Sequence, residues 1–237
     1  MAETEIARCL QRAGRWDLAL TALPAGDGAA AARAQILVDR QFWRLDPPEE
    51  ALEAVDALDG TPLAALLRGQ VRYWRLMVPR FEQPDAPPPV PEGEAAAVSE
   101  DFARAADDPG LAGWAAFWHG LLDENLHDRP ERAADGYAQA AASARRRGDR
   151  LLTSYAVRHQ GFQHIAAGRR EEGIGSLRRS LHLRASLGAV PATAAAQLAL
   201  ADQLPPGDER SALREAVGAT AREIGLTWVQ RALAAGE

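Results

Sequence analysis

Alanine is the feature that most constrains what this chain can fold into. It occupies 51 of the 237 positions, whereas Val, Ile and Thr together occupy only 22. Alanine has the highest helix propensity, and a large β-sheet needs the β-branched residues that are scarce here. With 47% hydrophobic and 25% charged residues, the chain is also long and apolar enough to bury a core. We therefore expect an all-α protein.

Apolar residues recur at helical spacing along almost the whole chain, and short turns such as Pro109-Gly110 and Arg147-Gly148 separate the segments. Thr61-Pro62 is typical of a helix start, because a hydroxyl cap precedes a proline at the first helical position. The pattern predicts helices at residues 3–13, 15–23, 28–45, 48–58, 62–77, 94–107, 111–127, 130–147, 149–167, 170–187, 191–204, 208–224 and 226–235.

One segment departs from this pattern. Residues 79–93 contain six prolines, which oppose a helix and favour an extended chain. The short helices on either side are alike in composition. We therefore interpret 79–93 as an insertion loop within a single domain covering 1–237, in preference to a linker between two domains.

The predicted helices also recur in pairs. In four places a turn containing Gly or Asp leads into a helix in which a small residue precedes a larger apolar residue by four positions. These small residues are 32, 82 and 40 positions apart, and a weaker instance, Ala212, follows 39 positions later. A bundle of Ala-rich helices would reproduce part of this pattern but gives no reason for the regular return. The four pairs are Ala19 with Leu23, Ala51 with Val55, Ala133 with Tyr137, and Gly173 with Leu177.

These hairpins resemble tetratricopeptide repeats, most closely over residues 154–187, where Gly161 takes the small position of the first helix, Gly168 the turn and Gly173 the start of the second helix. The departures are Val157 in place of a Trp, a missing terminal Pro, and spacing near 40 instead of about 34 residues. Longer spacing is similar to the variety found in bacterial regulators and sensors. The resemblance implies an α-solenoid, a right-handed superhelix of about five or six antiparallel helix pairs. It also implies a scaffold or adaptor whose concave face binds a peptide segment or a partner protein.

Composition argues against several classes of partner and chemistry. The net charge of −6 disfavours nucleic acid, and all 27 basic residues are Arg, so lysine chemistry is excluded. One cysteine excludes a disulfide framework and a thiolate zinc site. We expect no membrane segment, and a cytoplasmic protein, because the first residues lack a signal-peptide pattern. No catalytic or cofactor-binding motif occurs, so we expect no cofactor and no assigned catalytic residue.

The helices predicted at 111–127 and 149–167 carry the densest polar and aromatic side chains. In the repeat register these side chains face the concave surface, where aromatic, Arg and amide groups suit a peptide or a small anionic, carboxylate-bearing ligand. The alternative is that the large aromatic residues are core. The candidate binding residues are Trp114, Phe117, Leu121, Glu124, Asn125, Tyr155, Arg158, His159 and Phe162, with Arg40 and Arg72 extending the surface.

A second hypothesis places a small molecule on the same face, bound by a sensor or an enzyme. Two histidines and a carboxylate on adjacent inner helices suffice for proton transfer if burial brings a pKa near 7. The distinguishing feature is a closed pocket instead of an open groove, with the proline-rich loop as a possible lid. The residues that would supply acid, base and anion-binding groups are His119, Glu124, Tyr155, Arg158 and His159.

Two further groups of residues suggest a metal site and a dimer interface. His119, Asp123 and His127 share one helix face at metal-ligand spacing, but a surface pair near the helix end explains Asp123 and His127 better, so we expect no metal. The last helices present an apolar face without an obvious polar cover, which suggests a homodimer. That face comprises Leu226, Trp228, Val229 and Leu233.

Overall fold

The computed structural model describes residues 2–58, 60–83, 85–91 and 93–235, and within these ranges the chain forms helices and loops without a β-strand. The all-α prediction is confirmed, and each predicted helix has a counterpart. None of these helices has the length and apolar character needed to cross a bilayer. The helices are Ala2–Arg12 (α1), Trp16–Thr21 (α2), Ala30–Arg44 (α3), Glu49–Asp56 (α4), Pro62–Glu82 (α5), Glu94–Ala105 (α6), Ala112–Asn125 (α7), Pro130–Arg147 (α8), Arg150–Ala166 (α9), Arg170–Ser186 (α10), Val190–Ala201 (α11), Asp208–Ile224 (α12) and Thr227–Ala235 (α13).

Helices α5 and α9 each begin with a side-chain cap. At α5, Thr61 Oγ1 accepts a hydrogen bond from the Ala64 N–H at 3.1 Å, and Pro62 is the first helical residue. At α9, Asp149 Oδ1 accepts from the Leu152 N–H at 2.8 Å. Each cap satisfies one of the N–H groups that a helix start leaves unpaired.

Helix α5 is longer than its sequence suggests. It continues through Pro79 to Glu82, so the insertion loop predicted at 79–93 begins four residues later. A proline removes one backbone donor but leaves φ helical, and the helix therefore survives for one more turn. Arg80 Nη1 donates to the Pro88 carbonyl at 3.0 Å, which ties the loop to the helix.

Successive helices pack in six pairs, from α1/α2 to α11/α12, and a single helix, α13, follows. The small residues of the repeat pattern lie at these contacts: a Cβ on Gly173 would stand 2.6 Å from the carbonyl oxygen of Gly161. This close approach is between the two helices of one hairpin, not between neighbouring hairpins. Ala212 is exposed, so the weaker fifth instance of the pattern does not hold. The buried instances are Ala19, Ala51, Ala133 and Gly173.

The two ends of the array pack against each other. Trp16 of α2 shares one buried cluster with Leu198 of α11 and Val229 of α13. Gly14, with a φ of 73°, lies in the turn between α1 and α2, where a Cβ would stand 3.1 Å from Pro191 Cγ. In an open solenoid each repeat contacts only its sequence neighbours. This chain instead closes on itself, a feature that the repeat resemblance does not predict.

The apolar face of α13 is covered by the chain itself. Leu226 and Val229 are fully buried, and the Trp228 ring stacks on Trp43 of α3 with centroids 6.0 Å apart. Leu233 is half-buried against the same cluster. The uncovered face that suggested a homodimer is therefore not present, and the reason for expecting one does not hold.

Candidate functional site

Seven half-buried aromatic side chains lie on the odd-numbered helices α3, α5, α7, α9 and α13; one of them, Phe162, packs against Arg158, and the other six are grouped together. The Trp74 ring stacks on Phe42 at 4.3 Å, Phe42 lies 5.9 Å from Trp228, and Tyr155 meets Trp114 edge to face at 5.6 Å. Tyr155 packs against both of the largest buried clusters and so connects these groups. We call this set the aromatic wall: Phe42, Trp74, Trp114, Trp118, Tyr155 and Trp228.

A hydrogen-bond network lies beside the aromatic wall. The Tyr137 hydroxyl donates to Glu124 Oε2 at 2.5 Å, and His159 Nδ1 lies 3.1 Å from the same oxygen. On its other side, His159 Nε2 lies 3.2 Å from Arg158 Nη1. Because a guanidinium can only donate, Nε2 accepts and Nδ1 carries the proton donated to Glu124. The geometry therefore assigns a neutral imidazole to His159.

Burial and hydrogen bonding set the charges of this network. Burial lowers the pKa of His159 to about 4, in spite of the hydrogen bond to Glu124. Burial alone would raise the pKa of Glu124, but the hydrogen bonds of His159 and Tyr137 and the charge of Arg158 together lower it. At neutral pH the pair is thus a carboxylate beside a neutral imidazole whose acceptor nitrogen is already occupied.

Two guanidinium groups lie inside the fold without a carboxylate partner among the described residues. Arg184 is 1% exposed, and its Cζ lies 4.1 Å from the centroid of the Tyr155 ring. It donates to the Ala192 carbonyl at 2.9 Å and to Ser154 Oγ at 3.3 Å, while its Nη2 has no partner. The Nε of Arg158 is likewise buried without a partner. Burial lowers the pKa of both groups.

The half-buried carboxylate of Asp39 also acts on Tyr155. Asp39 Oδ2 accepts from Trp16 Nε1 at 2.8 Å, and its Oδ1 accepts from Trp43 Nε1 at 3.0 Å. A longer contact of 3.4 Å joins it to Gln11 Nε2. Burial raises the pKa of Asp39 to about 6 in spite of these donors. The negative charge of Asp39 and the positive charges of Arg184 and Arg158 all act on the Tyr155 hydroxyl.

Seven of the eleven predicted binding residues lie together on or beside the aromatic wall. Asn125 Nδ2 donates to the Tyr73 hydroxyl at 2.9 Å, and Arg158 Cζ lies 4.8 Å from the centroid of the Phe162 ring. Trp114 Nε1 donates to Asp149 Oδ2 at 3.0 Å. The seven are Trp114, Glu124, Asn125, Tyr155, Arg158, His159 and Phe162.

The other four predicted binding residues are structural. Phe117 and Leu121 are core residues, 1% and 9% exposed, and the Phe117 ring packs against Trp114 and Tyr155 of the wall, with centroids 6.1 and 5.5 Å apart. Arg72 pairs with the fully buried Asp101 at 2.8 Å between α5 and α6. Arg40 is held by a set of surrounding carboxylates and stays away from the wall. Its partners are Asp17, Asp46 and Glu50.

The acid–base and metal candidates on α7 do not converge. His119 Nε2 lies 3.2 Å from the Ser99 hydroxyl and 3.0 Å from its carbonyl, on the side of α6. Asp123 lies near Arg129 at 3.8 Å. No group of three metal-ligating side chains occurs in the described part of the chain. The proton-transfer set therefore lacks His119.

Sequence reasoning missed Arg184 and Asp39. Both occupy positions at which helical spacing indicates a buried apolar residue: Arg184 follows Leu177 by seven positions on α10, and Asp39 lies between Ile36 and Trp43 on α3. A charged residue within a buried stripe is a sign of an internal polar site. That sign was present in the sequence and identifies both residues.

No protein-family model matches the chain, and comparison with curated proteins finds no significant relative. The resemblance to tetratricopeptide repeats therefore depends on the hairpin pattern alone. The aromatic wall and the charges around it are the features of the structure that indicate a function.

Proposed function

We propose that this protein is a non-catalytic interaction module that binds a peptide segment of a partner protein along the aromatic wall. The observation that carries the proposal is the set of six half-buried aromatic side chains on the odd-numbered helices. Trp and Tyr supply large contact areas with few rotatable bonds and dominate binding hot spots. The resemblance to tetratricopeptide repeats implies that the concave face, formed by the first helix of each pair, binds the partner.

The charges beside the aromatic wall, and not its unpaired indole N–H groups, indicate the kind of peptide that it binds. The indole N–H groups of Trp74, Trp118 and Trp228 are buried, and no described residue accepts from them. Because these N–H groups are closed to solvent, a peptide on the wall would contact the half-exposed ring surfaces. The uncompensated charges of Arg158 and Arg184 favour an acidic segment.

Hydrogen bonding argues against catalysis at the same place. The Nε2 atom of His159 already accepts from Arg158, and Nδ1 already donates to Glu124. A general base needs a free lone pair within reach of the proton that it removes. No lone pair of this imidazole is free, so a binding role fits the network better.

A small-molecule sensor or enzyme is the second candidate, and one observation favours it. The packing of Trp16 against Leu198 and Val229 joins the two ends of the array, and such closure restricts access to the inner helices. A cytoplasmic adaptor and a cytoplasmic sensor would both use the same residues. The length of the ligand distinguishes them.

Peptide selection tests the proposal. Linear peptides selected from a random displayed library against the protein are synthesised, and their affinity is measured by fluorescence anisotropy. Trp74→Ala should weaken binding at least about tenfold, because a wall indole is a typical hot spot. Leu18→Ala is the matched control, since Leu18 is an apolar residue of α2 that is 58% exposed away from the wall. Failure to enrich any peptide, or equal affinity for the Trp74→Ala variant, would overturn the proposal in favour of the second candidate.

A further inference from the structure

Two guanidinium groups of like charge lie close together in the fold without a direct ion pair. Arg158 and Arg184 form no ion pair with any described carboxylate, and each keeps one buried N–H without an acceptor. Burying an unpaired charge is unfavourable unless hydrogen bonds or an opposite charge compensate it. Burial, together with repulsion from Arg158, lowers the pKa of Arg184 to about 10. Glu124 and Asp39 offset these charges only at longer range, so an anion in direct contact would satisfy the unused guanidinium donors.

Tyr155 lies at the centre of this region. Its ring covers Arg184, with a separation of 4.1 Å, and both guanidinium charges act on its hydroxyl. No described residue hydrogen-bonds that hydroxyl, and the residue is half-buried on the aromatic wall. Arg158 is also half-buried, and it uses one N–H on His159. Tyr155 and Arg158 are three positions apart on α9, so a phenol and a guanidinium with unused donors project from the same face of this helix, at the aromatic wall.

We propose that Tyr155 and Arg158 bind a single carboxylate, with Arg184 behind the tyrosine ring supplying a second positive charge. The inference rests on the proposed function, because the carboxylate belongs to the acidic segment on the aromatic wall. A planar guanidinium matches the two oxygens of a carboxylate, and desolvated donors strengthen such a contact.

The surrounding charges favour one negative charge over two. His159 hydrogen-bonds both Glu124 and Arg158, so the Glu124 carboxylate lies near the Arg158 guanidinium. The negative charge of Asp39 acts on the Tyr155 hydroxyl. Both of these carboxylates repel a dianion such as phosphate more strongly than a monoanion. For a monoanion, the attraction of the two guanidinium groups offsets this repulsion. The aromatic rings around Tyr155 also suit a carboxylate attached to an apolar group.

Phenylacetate and phenylacetamide test the site, because they match in shape and differ in charge. Their dissociation constants are measured by NMR titration of the full chain, with inorganic phosphate as a third probe. Phenylacetate should bind at least about tenfold more tightly than the amide and than phosphate, as expected for a charge-assisted contact. Arg158→Gln and Tyr155→Phe should each remove most of this preference.

Arg178→Gln is the control variant. It makes the same substitution at an exposed arginine that pairs with Glu209 on the outside of the fold, and it should leave phenylacetate binding unchanged. Circular dichroism of Arg158→Gln checks that the half-buried substitution preserves the helices. Equal affinity for the acid and the amide, tighter binding of phosphate, or undiminished binding by folded Arg158→Gln would overturn the inference.

Peptides separate this inference from the proposed function. A selected peptide whose carboxylates are all converted to amides should lose at least about tenfold in affinity. If the neutral peptide binds equally well and still depends on Trp74, the interaction module stands and the carboxylate site fails. If phenylacetate binds through Arg158 but no peptide is selected, the carboxylate site stands and the peptide-binding function fails.

Discussion

Helices α7–α10 and the closure between α1–α3 and α11–α13 are held together by different kinds of contact. Within α7–α10 glycines allow backbones to approach: a Cβ on Gly136 would stand 2.8 Å from the carbonyl oxygen of Ala116. At the closure, large side chains meet instead. Trp16 and Trp43 are 0% and 3% exposed, and both donate to Asp39. Glycines at backbone-to-backbone contacts distinguish the first region, and tryptophans packed between the chain ends distinguish the second.

This difference separates local from distant determinants of the fold. A glycine contact joins helices that follow one another in sequence, so the same small-residue pattern serves each hairpin. The closure joins Trp16 to Val217 and Val229, which are far apart in the chain. Contacts of this kind form only when the whole array is assembled. A substitution in the closure should therefore destabilise the helices at the two ends of the chain, and a substitution in a hairpin should destabilise that hairpin.

Trp16→Ala should have the largest effect on stability. The fully buried indole packs into the closure cluster and donates to Asp39 at 2.8 Å, so its removal leaves a cavity and an unpaired acceptor. We expect the free energy of unfolding to fall by about 3 to 5 kcal/mol, measured by urea denaturation. Leu18→Ala, on the exposed face of the same helix, should change it by less than about 0.5 kcal/mol.

Hydrogen exchange then shows whether the ends open separately. Amides of α1–α3 and α11–α13 should lose protection in the Trp16→Ala variant, while those of α7–α10 keep theirs, as independent units do in repeat arrays. Uniform loss of protection in both regions would mean that the chain unfolds as one unit. The distinction between the two regions would then have no energetic meaning.

Gly173→Ala should have a smaller but still clear effect, in the other region. The added Cβ would stand 2.6 Å from a carbonyl oxygen of α9, and a backbone atom cannot move aside cheaply. Overpacking of this kind costs about 1 to 3 kcal/mol, measured by urea denaturation. Gly175→Ala is the matched control, because nothing lies within 4 Å of its Cβ position and the change should stabilise α10 by about 0.5 to 1 kcal/mol. Similar effects of the two substitutions would refute the close-approach argument.

The helices could be predicted from sequence because their determinants are local. Ala content, Gly turns and the Thr61 cap each act within a few residues, and the small residues of the hairpin pattern are buried at four of five positions. The closure could not be predicted, because the local sequence around Trp16 or Trp228 does not indicate which distant residues these side chains contact. The end of α5 was missed because Pro79 interrupts one hydrogen bond without ending the helix.

The site was predicted in part for a geometric reason. Trp114, Phe117 and Trp118 lie within five positions of α7, and all three are aromatic. Composition cannot tell which of these neighbouring rings is covered by other helices, and the structure buries Phe117 fully while both tryptophans that it contacts stay half-buried on the wall. Polar residues within buried stripes are more informative, because burial is then unexpected and needs a cause.

The two regions should also respond to pH in opposite directions, and this is the smallest of the predicted effects. Burial raises the pKa of Asp39 at the closure to about 6 from 3.8, so the folded state holds its proton more tightly than the unfolded state does. Stability from Asp39 is therefore lost as pH rises through this window. Glu124, on α7, has a lowered pKa because hydrogen bonds outweigh burial, and its contribution is lost as pH falls.

Urea denaturation at pH 5 and pH 7 measures the closure's share of this dependence. Between these values Asp39 should lower the free energy of unfolding by about 1 kcal/mol, whereas His159, whose pKa burial lowers to about 4, acts in the opposite direction. Asp39→Asn keeps one oxygen acceptor for the indoles and removes the charge, so from pH 5 to pH 7 its free energy of unfolding should rise by about 1 kcal/mol relative to that of the wild type, whatever its own stability. The control is Asp17→Asn, an exposed carboxylate paired with Arg40 and Arg44, which should show the wild-type pH dependence. If wild type and Asp39→Asn share the same pH dependence, the closure does not hold a protonated carboxyl, and the indole N–H groups keep Asp39 ionised in the folded state.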